Sequence, residues 1–330
     1  MLEPQTAYSA PVSSPHQHVL KPGRSNSGWL TRWMRLDESE ASFSVRSFQA
    51  SSKDAQRRLE LIGRTFITGY NSAIERKGLD EISAVLDEVQ PELRGFAFEG
   101  ASMASSLLDL LSLRSSRFMG LLRGPGQQYI HLCWVGTGWA CARLKLLHGR
   151  FRRKFFPHDP LLSTLAYDGW GFHEGYFSSQ RYLRRQAPAP GILKGDTRRI
   201  FDQGFGRSLW FVGGARVTAI KSMIAPYPVE RQADMWSGVG LACAYAGCAG
   251  GSDLEMLLTI DNSFLPHLRQ GVAFAAKARV HSGNVIEDTY LAAQLLCGTS
   301  PEKLAEVTDA AQRRTNDYMS WRAELQRYFT

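Results

Sequence analysis

The sequence predicts an all-α fold built as stacked helical hairpins, of a tetratricopeptide-like or irregular α-solenoid kind. Three observations carry that expectation. Apolar residues recur at three- and four-residue steps from about Ser51 onward, the stripe of an amphipathic helix. Long alternating runs of Val, Ile and Thr, which would mark strands, are missing. Pairs of a large residue and, four positions later, a small one return along the chain: Phe96 with Gly100, Trp134 with Gly138, Trp210 with Gly214, Trp236 with Gly240 and, more weakly, Val272 with Ala276.

Taken in order, residues 1–40 are rich in Pro, Ser, Gln and His without helical or strand periodicity, and read as a flexible leader before a helical domain at 41–330. The leader lacks the apolar core of a secretory signal, so a cytoplasmic location is expected. Ser51 or Ser52 can cap a helix whose stripe is Leu59, Ile62, Phe66, Tyr70 and Ile74. Pro91, Pro228 and Pro301 stand where new helices could begin, since proline is best tolerated in a first turn. The stretches GPGQ at 124–127, PAPG at 188–191 and AGGS at 249–252 carry turn chemistry. Counting Gly175, whose partner four positions back is Gly171, the small positions 100, 138, 175, 214, 240 and 276 fall at intervals that, one short interval aside, cluster near about 38, roughly one helical hairpin. On a helix face each pair makes a knob beside a notch, where a neighbouring backbone can approach.

With 44% hydrophobic residues in 330, the chain can bury a sizeable core. Its five cysteines are odd in number and mostly lie in apolar runs, as free thiols in a reducing compartment do. No stretch reaches the length of a transmembrane segment. The net charge of +8 owes part of its excess to Arg143–Lys154, RLKLLHGRFRRK. Without zinc-finger spacing or an RNA-binding aromatic motif that charge does not point to nucleic acid. It is a solvated basic face, a face for an anionic lipid surface or, through Arg150, Arg152, Arg153 and Lys154, a docking face for an acidic partner such as a carrier protein.

For chemistry, FAFEG and GFHEG set Glu99 and Glu174 each just before a glycine, so that two carboxylates could converge on one concavity. Burial would raise one pKa and make that group an acid near neutrality, and an adjacent arginine would reverse the shift. His173 and Asp168 are the neighbours expected to tune the pair. The alternative is that these groups brace helix ends. A metal set of His158, Asp159, Asp168, His173 and Glu174 lacks ligand spacing, and no metal is expected. The clusters GTG, GFG, GGA and GVG match no phosphate-binding loop and fit close helix packing, so no cofactor is expected.

The segments GFAFEGASMA, GWGFHEGYF, FDQGFGRSLWFVGGA, ADMWSGVGLACAYAG and QGVAFAAKAR occur in one order between about residues 80 and 310. In them the chain resembles an uncharacterised bacterial family, a domain of unknown function associated with enediyne polyketide biosynthetic gene clusters and related secondary-metabolite loci. The resemblance implies a pathway rather than a reaction, and no catalytic residue comes with it. Two function classes follow. One is an accessory protein that holds a biosynthetic protein or a hydrophobic intermediate in a helical concavity. The other is an enzyme using the carboxylates for acid/base cyclisation, isomerisation or hydrolysis of a hydrophobic substrate.

Overall fold

The computed structural model of the protein describes residues 29–76, 78–112 and 115–330. Eighteen α-helices and no strand occur among them, so the fold is all-α. Eight longer helices follow one another: α1 (Lys53–Glu75), α2 (Arg94–Leu111), α3 (Ile130–Arg143), α4 (Leu165–Phe177), α5 (Asp196–Val212), α6 (Val229–Ala246), α7 (Leu265–His281) and α8 (Pro301–Gln312). Each packs on the next, with one or more shorter helices between successive members, and a C-terminal helix α9 (Tyr318–Tyr328) packs back on α7 and α8.

Local chemistry accounts for the ends. The Ser52 side chain accepts the Ala55 N–H at the start of α1, and the expected stripe Leu59, Ile62, Phe66, Tyr70 and Ile74 is buried. Ser300 caps α8 with Pro301 in its first turn, and Pro228 immediately precedes α6. The two glycine-rich apolar runs at 132–142 and 235–246 lie in α3 and α6.

What joins the long helices is a G-x-G rule. Four of them carry two glycines two residues apart, at Gly136 and Gly138, Gly169 and Gly171, Gly204 and Gly206, and Gly238 and Gly240. At about 100° per residue the two point to opposite flanks of the helix. A methyl group on the first would overlap a carbonyl of the preceding helix: Glu99, Val135, Asp168 and Gln203 in turn. On the second it would overlap a carbonyl of the following helix: Ala166, Phe201, Met235 and Leu268. Gly100 and Gly271 make the backward contact at the ends of the series, and Gly69 the forward one. Each interior glycine costs about 1 kcal/mol relative to alanine, and the backbone approach it permits is the compensation.

This corrects the register expected from the large and small pairs. The backward-facing glycines 100, 136, 169, 204, 238 and 271 are 33 to 36 residues apart. The interval of 38 between Gly100 and Gly138 mixes the two flanks, because Gly138 faces forward while Gly100 faces back. Gly214 belongs to neither set. It lies beyond the end of α5 in a left-handed turn, φ +59°, against Gln49 and Ala50.

Residues 1–28 of the expected leader lie outside the described residues, but helix Trp29–Met34 and the 3₁₀ turn Glu38–Ala41 fall within residues 29–41. They form the start of a strap that runs to Ser51. The Tyr70 hydroxyl donates to the Met34 carbonyl, Asn71 exchanges hydrogen bonds with the backbone of Leu36, Ala41 sits against Gly63, and Ser51 N–H donates to the Gly214 carbonyl. No helix of the described residues is long and apolar enough to cross a membrane.

Candidate functional site

The residue just before each backward-facing glycine occupies an equivalent place on its helix. These residues are Glu99, Val135, Asp168, Gln203, Ser237 and Gln270, and five of the six are polar. Four of the five are buried beyond 97%, and all but Val135 join one buried polar chain. Gln203 Nε2 donates to Asp168 Oδ2 at 2.9 Å and to the Tyr318 hydroxyl at 2.8 Å. The Ser237 hydroxyl lies 3.1 Å from Gln203 Oε1 and 2.9 Å from Gln270 Oε1. Arg322, on α9, donates Nε to Gln270 Oε1 at 3.1 Å and Nη2 to Asp234 at 2.8 Å. The recurrence of these glycines therefore lays polar groups end to end through the core.

At the head of the chain stands Arg207, one turn after Gln203 on α5. Its Nη2 is 2.9 Å from Asp168 Oδ1 and 3.7 Å from Glu99 Oε1, and Trp139 Nε1 donates to the same Glu99 oxygen at 3.1 Å. The guanidinium also lies over the Phe172 ring, 4.5 Å from its centre. The short Arg207–Asp168 approach is a charge contact without hydrogen-bond alignment. Arg207 Nε, Arg207 Nη2 and Asp168 Oδ1 thus remain buried without a directed partner, an arrangement rare enough to need a reason.

Two apolar chambers supply the setting. The first lies among Phe66, Phe96, Trp139, Phe172 and Phe211 and is bordered by Leu36, Glu40 and Ala41 of the strap. The second lies among Leu132, Leu165, Leu241, Tyr245, Phe274 and Trp321. Each encloses about 50 Å³, room for a few waters, and each is partly open, so that a larger ligand would extend outward through its mouth. The helices α3, α4 and α5 run from the second chamber towards the first. Arg207 lines both, with Glu99 facing the first and Asp168 the second.

Burial raises the Glu99 carboxyl. Arg207 opposes the shift and Asp168 adds to it, and the balance stands at about 7. An adjacent arginine was expected to reverse such a shift; here burial and the second carboxylate outweigh it. His173 goes the other way. Burial, then the positive charges of Arg143, Lys145 and Arg46, push it down to about 3, so it is a weak base at neutral pH. It packs edge-on to the Trp139 ring, 5.7 Å between centres, and does not reach the Arg207 cluster directly.

The four expected site residues therefore divide. Glu99 and Asp168 share Arg207. Glu174 does not join them: it pairs with Lys145 at 2.5 Å, accepts from the Tyr182 hydroxyl at 3.2 Å, and borders neither chamber. The helical equivalent of Glu99 is Asp168, and the likeness of FAFEG to GFHEG is out of register. Arg207, Trp139, Gln203 and Tyr318 were missed. The register of residues before the backward glycines would have found Gln203, and with it the arginine one turn on.

The other sequence candidates have local duties. Asp159 accepts from the backbone of Leu161 and Leu162, away from Asp168 and Glu174, and the described residues bring no three His, Cys, Asp or Glu side chains together for a metal. In the basic segment, Arg150 and Lys154 donate to the carbonyls of Ser112 and Ser115 beyond the end of α2. Only Arg152 and Arg153 of the four proposed docking residues are fully at the surface. The glycine clusters GTG, GFG and GVG lie inside helices against neighbouring backbone, and GGA in the turn after α5.

Residues 29–329 match the family described as "Protein of unknown function (DUF1702)", and the chain belongs to that family. No curated protein and no solved structure matches it.

Proposed function

We propose that this protein is a binding protein of a secondary-metabolite pathway, of the enediyne polyketide type its sequence resembles, that holds a hydrophobic small molecule in the two chambers with a polar group at Arg207. One observation carries the reading. A buried guanidinium with uncommitted donors borders two apolar spaces at once, the usual composition of a small-molecule site: apolar walls with a few placed polar groups. Burying those donors unpaired costs about 1–3 kcal/mol each, which a ligand oxygen would recover.

The test is calorimetric titration of an apolar aromatic probe, methylnaphthalene, into the parent and into chamber-filling variants Ile62→Trp and Leu241→Trp. Saturable one-to-one binding in the parent, lost or weakened about tenfold or more in at least one folded variant, is the expected outcome. Equal binding by all three proteins would remove the chambers as the site.

Glu99 favours one second reading, an enzyme in which this carboxyl donates a proton to a substrate in the first chamber. A carboxyl near 7 is matched to proton transfer at neutral pH. Asp168 would hold Arg207 in place rather than touch substrate, and neither Glu174 nor His173 has a part. Turnover of a pathway intermediate that stops in a folded Glu99→Gln variant would establish this reading over simple binding.

A further inference from the structure

The chemistry of the ligand's polar group can be read from the charges and donors that would meet it, given the small-molecule reading above. At the junction one cation, Arg207, already faces two carboxyl groups, Asp168 at 2.9 Å and Glu99 at 3.7 Å. The other cation at the wall of the second chamber, Lys277, is paired with Asp309. Arg279 stacks on the Tyr245 ring but directs its Nη groups to the carbonyls of Glu92 and Tyr245 and does not border the chamber. His131, also on that wall, is held neutral, pushed down to about 3 by burial and the charges of His281 and Lys277. Among the described residues no cation is therefore left over for an anion, and a third carboxylate beside Asp168 and Glu99 would meet like charge in a desolvated space.

Donors, by contrast, are in surplus. Arg207 Nε and Nη2 make no directed hydrogen bond, and neither does the Tyr245 hydroxyl, which is buried on the wall of the same chamber. That hydroxyl lies against Gly95, one turn before Glu99 on α2. We propose that the ligand is an uncharged apolar carbonyl compound, its oxygen received by Arg207 with the Tyr245 hydroxyl as the second donor of the chamber. Such an oxygen offers two lone pairs and no net charge, so it satisfies the idle donors without adding to the two carboxylates.

Three probes of one shape separate the possibilities: acetonaphthone with a neutral carbonyl, naphthoate with a charged one, and methylnaphthalene with none. At pH 8 acetonaphthone is expected to bind about tenfold or more tightly than either of the others, the scale of a hydrogen bond from a charged donor. In Tyr245→Phe, which keeps the ring, the ketone should weaken about threefold to tenfold while methylnaphthalene affinity and melting temperature hold. Arg207→Lys should abolish the preference, and if that variant does not fold the Tyr245 result decides. Naphthoate binding as tightly as the ketone, or a ketone preference unchanged in Tyr245→Phe, would overturn the proposal while leaving the chambers as a binding site. Saturable binding of none of the three would overturn both.

Discussion

Glu99 on one side, and His131 and His173 on the other, give the stability of the protein opposite slopes against pH. The folded pKa of Glu99 is raised, so the native state holds its proton more tightly than the unfolded chain. The resulting stability is present below the ordinary carboxylate range near 4.5 and is lost as pH rises through about 7. For His131 and His173 the folded pKa is lowered from 6.5 to about 3, so their contribution is present above 6.5 and lost as pH falls towards 3. Glu99→Gln removes the first effect alone. Its stability relative to the parent should therefore rise by up to about 3 kcal/mol between pH 4.5 and pH 8, read from denaturant midpoints at both ends. A gap independent of pH would mean that Glu99 is solvated in the folded state. The sequence made Glu99, Asp168, His173 and Glu174 visible as titratable groups, but not who meets whom. Glu174 resembles Glu99 in its neighbours along the chain, whereas contact depends on position around the helix, and there Asp168 is the equivalent.

At the scale of the helix the sequence was more legible. The stripe of α1 and the starts at Pro228 and Pro301 follow from residues adjacent in sequence, and each is found. The register between helices was harder because a glycine does not reveal which flank it serves. Only the paired carbonyl contacts sort Gly136 from Gly138. The same sorting yields a contrast in mutational cost. Gly138→Ala would press a methyl into the Ala166 carbonyl of α4, backbone that cannot step aside, and should destabilise by about 1–3 kcal/mol or more. Gly149, exposed in helix His148–Phe155 with only the end of the Arg153 side chain near, should accept alanine with a gain of about 0.5–1 kcal/mol. Thermal unfolding of the two variants against the parent measures both signs. Equal shifts for the two would show that the helices are not held by backbone approach.

Across the whole molecule, the glycine contacts and the polar chain both follow from glycines that recur at 33 to 36 residues. Close approach at the glycines sets the spacing of the long helices, and the residue before each backward glycine is carried to the same place on successive helices. Where that residue is polar the core acquires a chain from Glu99 to Gln270, and Arg207 joins it at the point where the two apolar chambers meet. The C-terminal helix completes the enclosure, with Tyr318 on Gln203, Trp321 on the second chamber and Arg322 on Gln270 and Asp234. Composition and periodicity announced the all-α class. The chambers stayed hidden because an interior space is a property of helices far apart in sequence. The most direct measurement of the central claim is a crystal structure grown with a brominated acetonaphthone and recorded at the bromine absorption edge. An anomalous peak is expected inside one of the two chambers, with the ketone oxygen within hydrogen-bond distance of the Arg207 guanidinium. Peaks confined to the outer surface, with the chambers holding no ligand, would contradict that claim.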